Sequence, residues 1–275
     1  MNTNDGVTES AGPVVLLTDF GHADPFVGQM KGVISGIAPG AEIIDLCNEV
    51  PVQNIFVAAM FLQESRKFFP PGTIFLVVVD PGVGSERRGI IVRAFNQYFV
   101  GPDNGIFDLV VGQDTSWQSV SIENPKYRLE RVSSTFHGRD IFAPAAAYLA
   151  DGADFSTFGP RVDSLVKISL KPPVLKGNTI DGMIVHFDHF GNGWTNISRG
   201  FLETTGWLKN PERIVVHAGS LSVRGLSETY SKADRDKPLA LINSFDLLEI
   251  AWYRESAREK LGLKEGAMIE LTLHH

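Results

Sequence analysis

TIFLVVVDPGVGSERR, residues 73–88, is the stretch from which the fold of this chain can be read. Its first seven residues are almost all apolar and mostly β-branched or aromatic, without the polar alternation of a half-exposed strand. They predict a parallel strand covered on both faces, ending at Asp80. VVLLTDF (14–20) and AEIIDLC (41–47) upstream have the same character. Between the three runs lie FVGQMKGVISGIAPG (26–40) and QNIFVAAMFLQESRKFFPPG (53–72), whose apolar residues recur every three or four positions and stop at Pro-Gly signals, so both predict helices. Alternating strands and crossover helices predict an α/β layer with a mainly parallel sheet from Pro13 to about Val166. Further along, GIIVRAF (89–95) and QYFVGPD (97–103) predict a hairpin, GPDNG (101–105) a turn into a helix, and RDIFAPAAAYLADG (139–152) a helix with Pro144 in or near its first turn.

The rhythm changes at LKPPVLKGNT (170–179), where two prolines, a glycine and an asparagine interrupt all periodicity. Beyond it, MIVHFD (183–188), RIVVHAG (213–219), LSVRGLSETY (221–230) and AMIELTLHH (267–275) are short strand-like runs, with one helix at ESAREKLG (255–262). The predicted organisation is a loose polar tail at 1–12, an α/β domain at 13–170, a linker at 171–180 and a smaller all-β, barrel-like domain at 181–275.

Composition narrows the function classes. With 43% hydrophobic and 21% charged residues, the 275-residue chain reads as an ordinary globular protein able to bury a large core. No apolar run reaches the length of a membrane span, and the polar start lacks the features of a signal peptide, so a cytoplasmic protein is expected. A net charge of −7 disfavours a phosphate-binding surface for nucleic acid and is compatible with a small cationic or zwitterionic ligand. Cys47 is the only cysteine, which excludes an intrachain disulfide and a cysteine-based zinc site; in EIIDLC it reads as a buried thiol. No zinc-binding His-Glu-X-X-His motif occurs, and neither a metal nor a cofactor is expected. His274 and His275, at the end, resemble tag remnants.

Three carboxylates, Asp19, Asp45 and Asp80, fall at or just past the C-terminal ends of predicted strands, where open α/β sheets bind ligands. Asp80 is followed by Pro81, Gly82, Val83 and Gly84, which let the backbone turn tightly, and by Arg87 and Arg88, either of which can fold back toward it. A structural turn with a surface ion pair would look the same. His137, between Phe136 and Gly138 on a loop, is either a site residue or a packed, hydrogen-bonded histidine; Asp140 reads as a cap or charge match for the following helix. In MIVHFDHFGNGWTNIS (183–198), Asp188, Phe190, Asn192 and Trp194 bring a carboxylate, aromatic faces and an amide together, which suits a ligand with an ammonium group and a flat base. An aromatic-rich hairpin is the plainer alternative. TDFG and HGRD look like protein-kinase strings, but their order is reversed and no glycine-rich ATP loop precedes them.

Taken together, TDFGHADPFVGQMKG (18–32), VVVDPGVGSERR (77–88), PDNG (102–105), STFHGRD (134–140), FDHFGNGWTNIS (187–198) and INSFDLLEIA (242–251) strongly resemble the S-adenosyl-L-methionine hydroxide adenosyltransferases, relatives of the halogenases that make 5′-halo-5′-deoxyadenosines. The resemblance implies hydrolysis of S-adenosyl-L-methionine to adenosine and L-methionine, with Asp80, Arg87 and His137 organising the attacking water and Arg88 as the adjacent alternative for the arginine. It also implies that Asp19 holds the ribose hydroxyls, Asp24 and Asp188 face the methionine ammonium, Asn192 and Phe190 meet the adenine, and Ser244 lies near the methionine end. An α/β domain followed by a β-barrel, assembled as a homotrimer with active sites between subunits, is implied as well. Halogenases resemble this chain but carry tyrosine in place of Asp80, and a carboxylate there would repel a halide. A halide-dependent adenosyltransferase and a non-catalytic S-adenosyl-L-methionine or adenosine binder are the alternatives. The chain departs from the family pattern at AWYRESAREKLG (251–262), where the family commonly has asparagine and small residues.

Overall fold

The computed structural model describes residues 12–274 apart from 220, 233 and 235. The expected tail at 1–12 and His275 lie, except for Gly12, outside the described residues. The chain folds into two compact units, the boundary falling after Ser169.

In the first unit, β1 (Val14–Thr18), β2 (Ile43–Cys47), β3 (Ile74–Val78), β4 (Gly89–Ala94), β5 (Gln97–Pro102) and β6 (Gln118–Ser121) form one sheet in the order β2-β1-β3-β5-β4-β6. β1, β2, β3 and β5 run parallel, and β4 is antiparallel to both β5 and β6. The hairpin between β4 and β5 turns at Phe95 and Asn96, both with positive φ. Side chains of one sheet face pack under α1 (Phe26–Ile37): Val14 and Leu16 of β1 and Leu76 of β3 share a core with Met30 and Ile34. The other face is equally dry, with Phe75 and Phe99 stacked at 5.3 Å on adjacent strands, beside α2 (Ile55–Ser65) and the single-turn α3 (Asp108–Val111). This burial on both faces is what the apolar run 73–80 requires. β2 differs from the expectation: as the sheet edge it has one neighbour, and its residues, Cys47 among them, are only half-buried or exposed.

The helix expected over 139–152 has two parts, a π-helical turn at Gly138–Phe142 and α4 (Ala143–Ala150) with Pro144 in its first turn; the Asp140 carbonyl, which Pro144 has no N–H to meet, accepts from the Leu129 N–H instead. The polar strand β6 had no apolar signature; it pairs along β4 at the sheet edge.

In the second unit, β7 (Val174–Lys176), β8 (Thr179–Phe187), β9 (Gly193–Ser198), β10 (Ile214–Ala218), β11 (Leu221–Arg224), β12 (Pro238–Ile242), β13 (Leu247–Trp252) and β14 (Met268–Leu273) form an all-antiparallel, nearly closed barrel-like sheet in the order β11-β10-β14-β8-β9-β13-β12, with β7 added to β8. Ile180, Ile184, Ile197, Val216, Leu248, Ile250 and Leu271 point into its core. α5 (Arg199–Thr204) and α6 (Ala257–Leu261) are capped by Ser198 and Ser256, whose hydroxyls accept from Phe201 and Glu259 N–H groups. Part of the segment read as a linker is paired: Gly177, with positive φ, lets β7 fold back on β8. LSVRGLSETY is strand only to Arg224, because Gly225 turns the chain with positive φ. β12 and β13 lie outside the expected strand-like runs; β13 pairs with β9 on one side and β12 on the other, which supplies its hydrogen bonds. Among the described residues, no helix is long and apolar enough to cross a membrane.

Candidate active site

β2 and β3 flank β1 on opposite sides, so the strand order reverses between β1 and β3. That switch point opens a crevice beyond the C-terminal ends of the strands. There the structure forms a cavity of about 270 Å³ lined by Asp19 and Phe20 after β1, Phe26 of α1, Val52 and Gln53, Asp80, Pro81 and Val83 after β3, and Thr135, Phe136, His137 and Gly138. Phe20, Phe26 and Phe136 meet pairwise with ring centroids 5.2–5.7 Å apart and make its aromatic wall.

Arg87, outside the lining, connects two of the cavity's polar groups, Asp80 and His137. Its Nε donates to Asp80 Oδ1 at 2.9 Å and Oδ2 at 3.0 Å, its Nη2 donates to Oδ2, and Nη2 lies 2.9 Å from His137 Nδ1. The Arg87 and Asp80 side chains are 10% and 5% exposed, so this is a desolvated pair and not a surface one. An arginine only donates, so Nδ1 of His137 accepts and its proton sits on Nε2. Burial first, and the Arg87 charge second, hold His137 below the ordinary histidine value against the opposing pull of Asp80 and Asp140. The imidazole is therefore neutral near pH 7. Arg88 points elsewhere: it pairs with the buried Asp103 and donates to the Ser164 carbonyl at 2.9 Å. Of the two arginines it is Arg87 that folds back onto Asp80.

Two glycines make this juxtaposition possible. Gly84 has φ +78°, and a Cβ there would stand 2.4 Å from the Ser134 carbonyl oxygen, so the loop after β3 lies against the loop that carries His137. At Gly138 a Cβ would meet Phe136, Met30 and Phe20 at 3.2–3.4 Å, which keeps the aromatic wall close.

Asp19 lines the cavity and accepts from the Gln53 N–H at 2.8 Å. Asp24 is exposed just before α1 and is not part of the lining. Asp45, the third carboxylate at a strand end, pairs with Lys31 and accepts from Asn48 instead of facing the cavity.

The second unit carries its own cavity, about 620 Å³, lined in part by Asp188, Phe190, Asn192, Trp194 and Ser244. Asp188 closes the turn after β8: its Oδ1 accepts from Phe190 and Asn192 N–H groups at 2.9 and 2.8 Å, and its Oδ2 from Asn192 Nδ2 at 3.0 Å. One N–H of the Asn192 side-chain amide is thus given to Asp188, and its Oδ1 is left to accept. Gly191 at φ +80° lies so close to Ser256 that a Cβ would be 2.2 Å from its hydroxyl. Phe190, 74% exposed, presents an open ring face at the cavity.

Several lining groups escaped sequence reading. Glu249 of β13, 1% exposed, accepts from the Tyr230 hydroxyl at 2.8 Å and from Asn243 Nδ2 at 3.2 Å, and burial raises its carboxyl above the ordinary glutamate value. Glu249 lay inside INSFDLLEIA, but without a strand assignment nothing told which way it pointed; Tyr230 carried no local signal. Trp252, Tyr253 and Arg254, where the chain departs from the family pattern, also line this cavity, Arg254 with φ +60°.

Residues 14–159 match the model of the SAM hydroxide adenosyltransferase N-terminal domain, and residues 182–270 that of the SAM hydroxide adenosyltransferase C-terminal domain. The chain is 38% identical to an (R)-S-adenosyl-L-methionine hydrolase of Thermus thermophilus over 94% of this chain and 99% of that protein. A fluorinase of Actinoplanes is 26% identical over 94% of this chain and 97% of its own. A crystal structure described as an uncharacterized conserved protein from Thermotoga maritima superposes with a TM-score of 0.86 at 36% identity, covering 94% of this chain and 99% of that one. Domain models for both halves and hydrolase relatives spanning nearly the whole length agree: the chain belongs to the SAM hydroxide adenosyltransferase family.

Proposed function

We propose that this protein hydrolyses S-adenosyl-L-methionine to adenosine and L-methionine, with Asp80 and His137 binding the attacking water and Arg87 holding both in place. The observation that carries the reading is the Asp80–Arg87–His137 chain of contacts, whose carboxylate and imidazole line a switch-point cavity that also presents Asp19. Water oxygen forms a bond to the ribose C5′ while the carbon–sulfur pair leaves with sulfur, turning a sulfonium into a neutral thioether. The water proton goes to the site. Since Nδ1 of His137 accepts from Arg87, its Nε2–H is left to donate to the water oxygen, and Asp80 is the group with lone pairs to take the proton. Positioning the water in line is the larger contribution, because no metal or cofactor is invoked to acidify it.

Asp19 supplies two acceptor oxygens for the ribose hydroxyls, beside the aromatic wall of Phe20, Phe26 and Phe136. In the second unit, Asp188 is the counter-charge for the methionine ammonium and Ser244 a partner at the same end. Asn192 Oδ1 accepts from the adenine amino group, and Phe190 packs on the base. Asp24, exposed as it is, is assigned to the ammonium with Asp188. A homotrimer with active sites shared between subunits, and a cytoplasmic location, belong to the same proposal; light scattering of the purified protein measures the former.

Chromatography of purified protein incubated with S-adenosyl-L-methionine is the direct test, and adenosine and methionine accumulating in equal amounts is the expected result. If halide diverts the nucleoside product to a halonucleoside, the hydrolase reading fails. Asp188→Ala is expected to raise KM for S-adenosyl-L-methionine by roughly tenfold with kcat little changed, since it removes binding common to ground and transition states.

The depressed His137 value has a pH consequence. Protonation would place a proton on Nδ1 against the Arg87 guanidinium, so the active form is the neutral one. Turnover should therefore be constant through neutral pH and fall on the acid side, with the midpoint below the ordinary histidine value of about 6.5. A kcat–pH profile whose acid limb lies above that value contradicts the assignment.

A further inference from the structure

Asp140 is a fully buried charge three residues from His137 with no part in the chemistry above. A cap at this helix start would accept from backbone N–H groups ahead of it. Asp140 reaches backward instead. Its Oδ2 accepts from the Ser133 N–H at 2.8 Å and from Arg139 Nη2 at 3.1 Å, its Oδ1 from Arg139 Nε at 2.6 Å, and its backbone carbonyl from the Leu129 N–H at 2.9 Å. Arg139 donates onward to Gln29 of α1 at 3.1 Å and lies over the Phe136 ring, 5.0 Å from its centroid. Of the two expectations for Asp140 the cap is therefore corrected, while the charge match stands, since Asp140 lies in the first helical turn. The π-helical turn at Gly138–Phe142 turns this carboxylate into the protein, under the loop that bears His137.

We propose that Asp140 is a positioning residue for the hydrolysis: by clamping Ser133 at one end of the loop and Arg139 at the other, it holds His137 in register with Arg87 and Asp80. The inference rests on the function proposed above. A loop tethered at both ends by one carboxylate has few conformations left, and Arg139 carries the same restraint into the aromatic wall through Phe136. Displacing a group such as His137 by about 1 Å is enough to cost on the order of 10²-fold in rate.

Asp140→Asn keeps the shape but puts an NH2 group where one oxygen accepts from Ser133 or Arg139. The readout is the titration of the His137 imidazole by NMR, assigned with His137→Gln, together with kcat and KM. The charged groups around His137 are Arg87, Asp80, Asp140 and Arg128. If the clamp positions His137, releasing it frees the ring from burial and from Arg87, so its titration midpoint rises toward the ordinary value, kcat falls by about 10²-fold and KM moves by less than about threefold. If Asp140 acts only through its charge, which favours the imidazolium, the midpoint falls further; that result, or no movement, overturns the proposal. Should Asp140→Asn not fold, Arg139→Gln, which leaves the Ser133 contact intact, is read in the same way. Failure of the parent protein to release adenosine sinks the functional reading and with it the link to turnover, whereas an unmoved His137 titration in Asp140→Asn sinks the clamp alone, since that titration needs no turnover.

Discussion

Asp80→Ala and His137→Ala are each expected to lower kcat for adenosine release by about 10²-fold or more while leaving S-adenosyl-L-methionine binding within about threefold. Both side chains face the cavity, and both are held by a third group that does not line it. Because Arg87 bonds to both at once, the two effects should not add: the double variant is expected to be little worse than either single one. Arg87→Lys separates charge from geometry. Lysine keeps the positive charge but lacks the planar fork that spans Asp80 and His137, so kcat should fall nearly as far as in Asp80→Ala. Single-turnover kinetics, with binding measured by calorimetry, check all four variants. Full activity in both alanine variants would remove the basis of the proposed mechanism.

The second large effect comes from one methyl group. Gly84→Ala places a Cβ 2.4 Å from the Ser134 carbonyl oxygen, at a backbone conformation of φ +78° that costs a non-glycine residue about 1–2 kcal/mol. Neither contact partner is the far end of a flexible side chain. The backbone of one loop must retreat from the other, and the loops are those that carry Arg87 and His137. The expected result is a folded protein, destabilised by about 2–4 kcal/mol in denaturant unfolding, with kcat reduced by on the order of 10²-fold. Gly82→Ala in the same loop is the control: a Cβ there meets nothing closer than 3.5 Å, so its kcat should stay within a fewfold of the parent. Equal losses in the two variants would show that the close approach at Gly84 is not what matters.

Where sequence reading succeeded, the signal was local. The parallel core strands are apolar on both faces because helices cover both, and that shows as an uninterrupted run at 14–17 and 73–79. The β4–β5 hairpin, α1, α2 and α6 are legible for similar reasons of periodicity and turn residues. Where it failed, the stabilising partner was remote. The four residues of β6 are largely polar and form a strand because β4 pairs with them; β12 pairs with β13, and β13 with β9. Asp140 reads as a cap because the spacing to a helix start is visible and the Ser133 N–H that it binds is not.

What the sequence determined by itself is the chemistry available: a carboxylate and a guanidinium seven residues apart after a buried strand, an imidazole fifty residues later, and glycines where the chain must pass close to itself. Which arginine faces Asp80, which nitrogen of His137 carries its proton, and that Asp24 stands in solvent while Asp19 lines the cavity were decided only by the tertiary structure. Residue type and strand-end position are local properties. The direction in which a side chain points, and the protonation state that follows from it, depend on neighbours brought close by the folding of distant segments.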